Sequence, residues 1–97
     1  MASIHVVKEH KLDHEEAKKR GRELLERFRT KLARFISRVE WTPDGTRGTA
    51  EGKIFGAVFE VTPSQVVVDI ELRGLGAAIL KGQIEGTVKE SLDRKFA

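Results

Sequence analysis

Apolar and polar positions divide the chain into seven segments of regular structure. Ser3 to Val7 sets Ile4 and Val6 against His5 and Val7, the two-residue period of a short strand. A polar stretch, Lys8 to Lys11, follows. Asp13, with Glu16 three residues on, then forms a capping box, in which a carboxylate accepts an orphan backbone N–H at the start of a helix. Ala17, Gly21, Leu24, Leu25, Phe28, Leu32 and Phe35 recur at helical steps beyond it and make one stripe to bury. The period changes over Ile36 to Trp41, and Thr42-Pro43-Asp44-Gly45 is a turn. Thr46 to Gly52 reads as a weak polar strand at a sheet edge, and Lys53 to Gly56 as a hairpin tip or bulge.

Ala57 to Thr62 and Val66 to Leu72 are strands separated by the turn Pro63-Ser64-Gln65, where proline lacks a ladder donor. Val66, Val68, Ile70 and Leu72 share one face, with Val67, Asp69 and Glu71 on the other, the alternation of an antiparallel sheet packed on one side. Arg73-Gly74-Leu75-Gly76 ends that strand and leads into a second helix striped by Ile79/Leu80, Ile84, Val88, Leu92 and Phe96. Gly82 and Gly86 each cost that helix about 1 kcal/mol against alanine, so a close backbone approach is expected there, near Gly21 of the first helix.

The order β-α-β-β-β-β-α predicts an α+β fold of one domain spanning 1–97. Each helix has one apolar stripe and the sheet one apolar face, so both helices belong on the same side. The first strand is expected antiparallel beside the last, a reduced helix-grip arrangement. The opposite face, with Val67, Glu60, Asp69 and Glu71, is expected to be covered, at the face or an edge, by a second copy in a homodimer.

Composition narrows the function. With 39% hydrophobic and 34% charged residues, the 97-residue chain has the make-up of one small soluble domain. It holds no cysteine, which removes disulfides, thiolate metal sites and thiol nucleophiles. No apolar run approaches the ~20 residues of a membrane span. The opening Met1 to Val7 lacks the basic and apolar regions of a signal peptide, so a cytoplasmic location is expected. The net charge of +3 is unevenly placed: residues 17–34 carry a local +6, and residues 42–72 a local −3. Arg27, Arg29, Lys31, Arg34 and Arg38 form the candidate surface-binding set, suited to a polyanion, an acidic partner or a charged surface.

Catalytic chemistry finds little support. Ser3, Ser37, Ser64 and Ser91 lack a nucleophile elbow, and Glu15/Glu16 and Asp69/Glu71 lie on faces that would not tune a carboxyl group. No phosphate-binding glycine pattern is present, since Gly74-x-Gly76 lacks its third glycine. His10 and His14 are four apart, but the helix starts at Asp13, so they do not share a helical face for a metal. The expectation is a non-enzyme with no cofactor and no metal. Two other readings stand beside surface binding. An apolar cleft between helices and sheet, lined by Leu24, Phe28, Phe59, Val68 and Ile84, would suit a small acyl ligand. The basic first helix would suit nucleic acid, with Trp41 as the one large stacking platform.

The chain as a whole resembles the bacterial polyhydroxyalkanoic acid system family. The resemblance rests on Ile4-His5-Val6 with Glu9-His10-Lys11-Leu12, on Glu16-Ala17 opening a basic helix, and on the strand bearing Trp41. It continues through the glycine-punctuated hairpin from Gly52 to Gly56 and Val68-Asp69-Ile70-Glu71-Leu72, then Lys81-Gly82-Gln83-Ile84-Glu85 in a helix ending near Leu92-Asp93. A longer polar stretch from Asp44 to Gly48 departs from the family pattern. The resemblance implies an accessory role in polyester storage, at granule surfaces or with granule proteins, and assigns no catalytic residue.

Overall fold

The computed structural model describes residues 2–74 and 76–96. The elements are β1 (Ala2–Glu9), α1 (His14–Lys31), β2 (Arg38–Trp41), β3 (Arg47–Glu51), β4 (Phe55–Val61), β5 (Gln65–Leu72) and α2 (Ala77–Phe96). They build one antiparallel five-stranded sheet in the order β1-β5-β4-β3-β2. The predicted α+β order holds, and β1 lies antiparallel beside β5 in a continuous register from Ala2↔Leu72 to Glu9↔Gln65.

Alternation decides which face is covered. Ile4 and Val6, then Val66, Val68, Ile70 and Leu72, then Phe55, Phe59 and Val61, and finally Ala50 point to one side. There they meet Leu24, Leu25 and Phe28 of α1 and Ile84, Val88, Leu92 and Phe96 of α2 in a single core. Both helices therefore lie on the same side, as the stripes require. The other side carries Ser3, His5, Val7, Val58, Glu60, Asp69 and Glu71 and has no layer over it.

Asp13 caps α1 as expected, accepting the Glu16 N–H at 2.8 Å. The Glu16 carboxylate instead turns to Arg20 at 3.0 Å, so the ion pair one turn on replaces the return half of the box. α1 stops at Lys31, earlier than the stripe suggests, with Leu32 as its C-cap. Leu32 and Phe35 still pack on the core from the turn beyond it, which is why the periodicity reads through.

Four expectations need correction. β3 is interior, between β4 and β2, and the short β2 forms that edge instead. Polar composition misleads there because Gly48 and Ala50 face the core with little side chain, which makes room for α1. The β3–β4 connection is the turn Gly52 to Ile54, and Phe55 already belongs to β4. Only Leu80 of the Ile79/Leu80 pair packs inward, whereas Ile79 is 82% exposed. A Cβ added at Gly82 or Gly86 would meet nothing within 4 Å among the described residues, so the expected close approach is not there. The close approach occurs at Gly21, where a Cβ would stand 2.9 Å from the Val61 side chain and 3.1 Å from the Phe59 ring.

One consequence concerns the edge. The His10 N–H donates to the Ser64 carbonyl at 2.9 Å, one step past the Glu9↔Gln65 pair. Backbone groups of alternate residues in an antiparallel strand point to opposite sides. Ile4, Val6 and Lys8 therefore bond β5, and Ser3, His5, Val7 and Glu9 direct their N–H and C=O groups to the open side.

Candidate functional site

The three histidines have separate tasks. His10 is 7% exposed, with Nε2 donating to the Thr62 carbonyl at 2.9 Å and Nδ1 accepting the Leu12 N–H at 3.2 Å. His14 Nε2 donates to the neighbouring Val61 carbonyl at 3.2 Å. The pair thus holds the end of β4 against the β1–α1 connection, and the two rings do not converge on a common point. His5 pairs with Asp69 across the β1–β5 register on the uncovered face, where both side chains are more than half exposed. Among the described residues, no three metal-ligating side chains come together.

The proposed apolar cleft is filled. Leu24, Phe28, Phe59, Val68 and Ile84 are all buried at the helix–sheet interface. The space left there, beside Leu25, Phe28, Phe55, Ile70 and Val88, has a volume of about 10 Å³. That is room for about one water molecule, far short of an acyl chain. Trp41 is not a free platform either. Its indole packs edge-on to Phe59 at 6.2 Å, and the Arg22 guanidinium lies 5.9 Å from the ring.

The basic candidates distribute over two flanks and an edge. Helical spacing places Arg27 and Lys31 on one side of the Phe28 stripe and Arg29 on the other. Arg29 pairs with Glu26 at 3.6 Å. Arg34 follows in the exposed turn after α1. Arg38 lies on the outer face of β2 and pairs with Glu40. These five residues do not make one helix face.

A different grouping emerges from the topology. α1 runs toward the end of the sheet where β3, β5 and the β1 N-terminus also lie, and α2 begins there. Ser37 N–H donates to the Glu51 carbonyl at 2.7 Å and Arg73 N–H to the Ile54 carbonyl at 2.9 Å, tying the three connections into one pole. This pole collects Arg29, Lys31, Arg34, Arg38, Lys53, Arg73 and Lys81 against the carboxylates Glu26, Glu40, Glu51 and Glu71. Lys53, Arg73 and Lys81 escape a sequence reading because each is a lone cation in its own segment. Among the described residues, Lys31, Arg34, Lys53 and Lys81 make no ion pair, while Arg73 reaches Glu71 at 3.1 Å. The opposite pole is richer in acid, with Glu9, Asp13, Glu15, Glu16, Asp44 and Asp93.

The family model described as "Putative polyhydroxyalkanoic acid system protein" matches residues 4–96. The chain belongs to this family. The residues that carried the resemblance to the family are largely fold residues in the structure: Ile4, Val68, Ile70 and Leu72 are core, and His10 is the β4 clamp. Among solved structures, the NMR structure of PA4090 from Pseudomonas aeruginosa is similar, with a TM-score of 0.57 at 13% identity, covering 97% of this chain and 83% of that one. At that identity the likeness is one of fold. No curated protein matches the chain.

Proposed function

We propose that this family member is a non-catalytic accessory protein of polyhydroxyalkanoate storage that meets the granule boundary, or proteins bound there, through its basic pole. The observation that carries this reading is the gathering of Lys31, Arg34, Lys53, Arg73 and Lys81 at one end with few carboxylates among them. Each cation held near an anionic surface contributes about 1 kcal/mol, so such a group suffices for reversible attachment without a ligand cavity. The family description supports the storage context, and a cytoplasmic granule surface is the location it implies. A non-catalytic role is supported by the His5–Asp69 pair and the other paired carboxylates standing in open solvent, away from a water-excluding cleft.

Co-sedimentation with isolated granules tests the reading. Attachment is expected at low salt and release at high salt, with about a hundredfold loss when Lys31, Arg34 and Lys53 are all changed to Gln. Binding that ignores both salt and these substitutions overturns the basic pole as the contact.

The second copy is part of the same proposal, along the free β1 edge or over the uncovered face. Val7→Pro is the discriminating variant, because it removes an N–H that points away from β5. Light scattering should report a dimer for the parent chain. A monomer at high micromolar concentration counts against the second copy altogether. A dimer that persists in Val7→Pro overturns the β1 edge as the contact.

A further inference from the structure

We propose that the first two turns of α2 are an insertion tip for an anionic phospholipid surface, with Ile79 as the side chain that enters it. The inference rests on the basic-pole reading and names what the pole touches. Ile79 is 82% exposed, the most open large apolar side chain among the described residues, and the exposed Ala78 precedes it. The fold does not need Ile79, because Ala77 and Leu80 supply the inward contacts of that turn.

The charge around Ile79 is one-sided. From Leu72 to Ile84 the sequence has no carboxylate, and its only charged residues are Arg73 and Lys81. α1 begins with Asp13 at its cap and Glu15 and Glu16 in its first turn, the usual complement to a helix dipole. The first turn of α2 has no acidic residue, so the positive end of its dipole stays uncompensated toward the surface it would meet. Gly74 and Gly76, just before that turn, have φ of 88° and 85°, left-handed values that glycine adopts without strain. Gly74 sits against Ile54, the half-buried tip of the β3–β4 turn, and beside it Lys53 is exposed.

Ile79 stands at the same pole as the exposed cations Lys53, Arg73, Lys81, Lys31 and Arg34, and an apolar side chain in company with basic ones matches a layer with phosphate outside and hydrocarbon beneath. A nucleic acid would use the cations but has no layer for Ile79. A bare polyester surface would take Ile79 but gives the cations no counter-charge.

The test is sedimentation of the full chain with phosphatidylcholine vesicles, with and without phosphatidylglycerol. Binding is expected only when phosphatidylglycerol is present. Ile79→Ser should weaken it about tenfold, the order expected for losing one buried isoleucine, with an unchanged melting curve. Ile79→Trp should bind, and its added indole emission should shift to the blue and be quenched by brominated lipid. Equal binding by Ile79→Ser, or equal binding to phosphatidylcholine alone, overturns the tip. An RNA gel shift that survives Ile79→Ser, with no vesicle binding, assigns the cations to nucleic acid and also overturns it. Granule binding that is indifferent to Ile79→Ser sinks the tip and leaves the storage role standing. Vesicle binding without granule binding does the reverse.

Discussion

α1 and α2 lie side by side over one sheet and use their residues differently. α1 buries Ala17, Gly21, Leu24, Leu25 and Phe28 along a single stripe and surrounds it with charge. α2 buries Ala77, Ile84, Val88, Leu92 and Phe96, yet also leaves Ala78, Ile79, Gly82 and Gly86 in water. Gly21 is required by its neighbours, since α1 rides on Phe59 and Val61 with no room for a methyl group. Gly82 and Gly86 are not required by any neighbour among the described residues. Of the two helices, α1 is the one whose composition the fold explains, and α2 keeps a remainder that points outward.

The connections sharpen the contrast. α1 exits into a crowded corner where a Cβ on Gly52 would stand 1.5 Å from the Phe35 carbonyl oxygen. Backbone faces backbone there, so neither side yields. Gly52→Ala should therefore show the largest effect, a loss of about 4 kcal/mol in guanidinium unfolding. A loss under about 1 kcal/mol would show that the Phe35 corner can move. Gly21→Leu comes next, at about 3 kcal/mol, because the leucine must displace Phe59 and Val61 in a filled core.

The comparison breaks if α2 behaves the same way. Gly82→Ala and Gly86→Ala should each stabilise by about 1 kcal/mol, as alanine at an open helical site does. A destabilisation at either position would mean that α2 makes a contact outside its own chain, with a second copy the first place to look. That outcome would show first as a change in oligomeric mass.

Local chemistry was legible in the chain, and what depends on assembly was not. Asp13 announced α1, and the alternation through Val66 to Leu72 announced a one-sided sheet, because caps and two-residue periods are set by near neighbours. The polar stretch of β3 hid an interior strand, since Gly48 and Ala50 are core positions chosen for smallness. Ile79 and Leu80 are adjacent, and Leu80 is the one in step with Ile84, Val88, Leu92 and Phe96 at intervals of four, so the periodicity already distinguishes the inward side chain from the outward one. The helix start alone sets His10 and His14 aside as ligands, but their task was hidden because the carbonyls they serve, Thr62 and Val61, lie about fifty residues away. The basic pole was half visible: its α1 members form a run, but Lys53, Arg73 and Lys81 join them only when three connections meet.

The opposite pole offers a gentler test of how α1 is held. In the β2–β3 turn the Asp44 carboxylate accepts the Thr42 hydroxyl at 2.7 Å, the Thr46 N–H at 3.2 Å and the Thr46 hydroxyl at 2.9 Å. Those three donors, the Thr42 hydroxyl foremost, lower its pKa from 3.8 to about 2. Lys18 of α1 donates to the Asp44 carbonyl at 3.1 Å, so the turn and the helix are linked. A carboxyl group whose folded value is depressed contributes stability that is whole above its unfolded value of 3.8 and fades as the pH falls through about 2. Carbon-detected NMR should find Asp44 titrating near 2, with the Thr46 amide shifting at the same midpoint. Thr42→Val should raise that midpoint toward 3.8 and leave the amides of α2 where they were, since no bond joins α2 to this turn among the described residues. A midpoint unmoved by Thr42→Val would show that the hydroxyl is not what holds the carboxylate, and the turn would then be set by backbone geometry at Gly45, with φ of 74°.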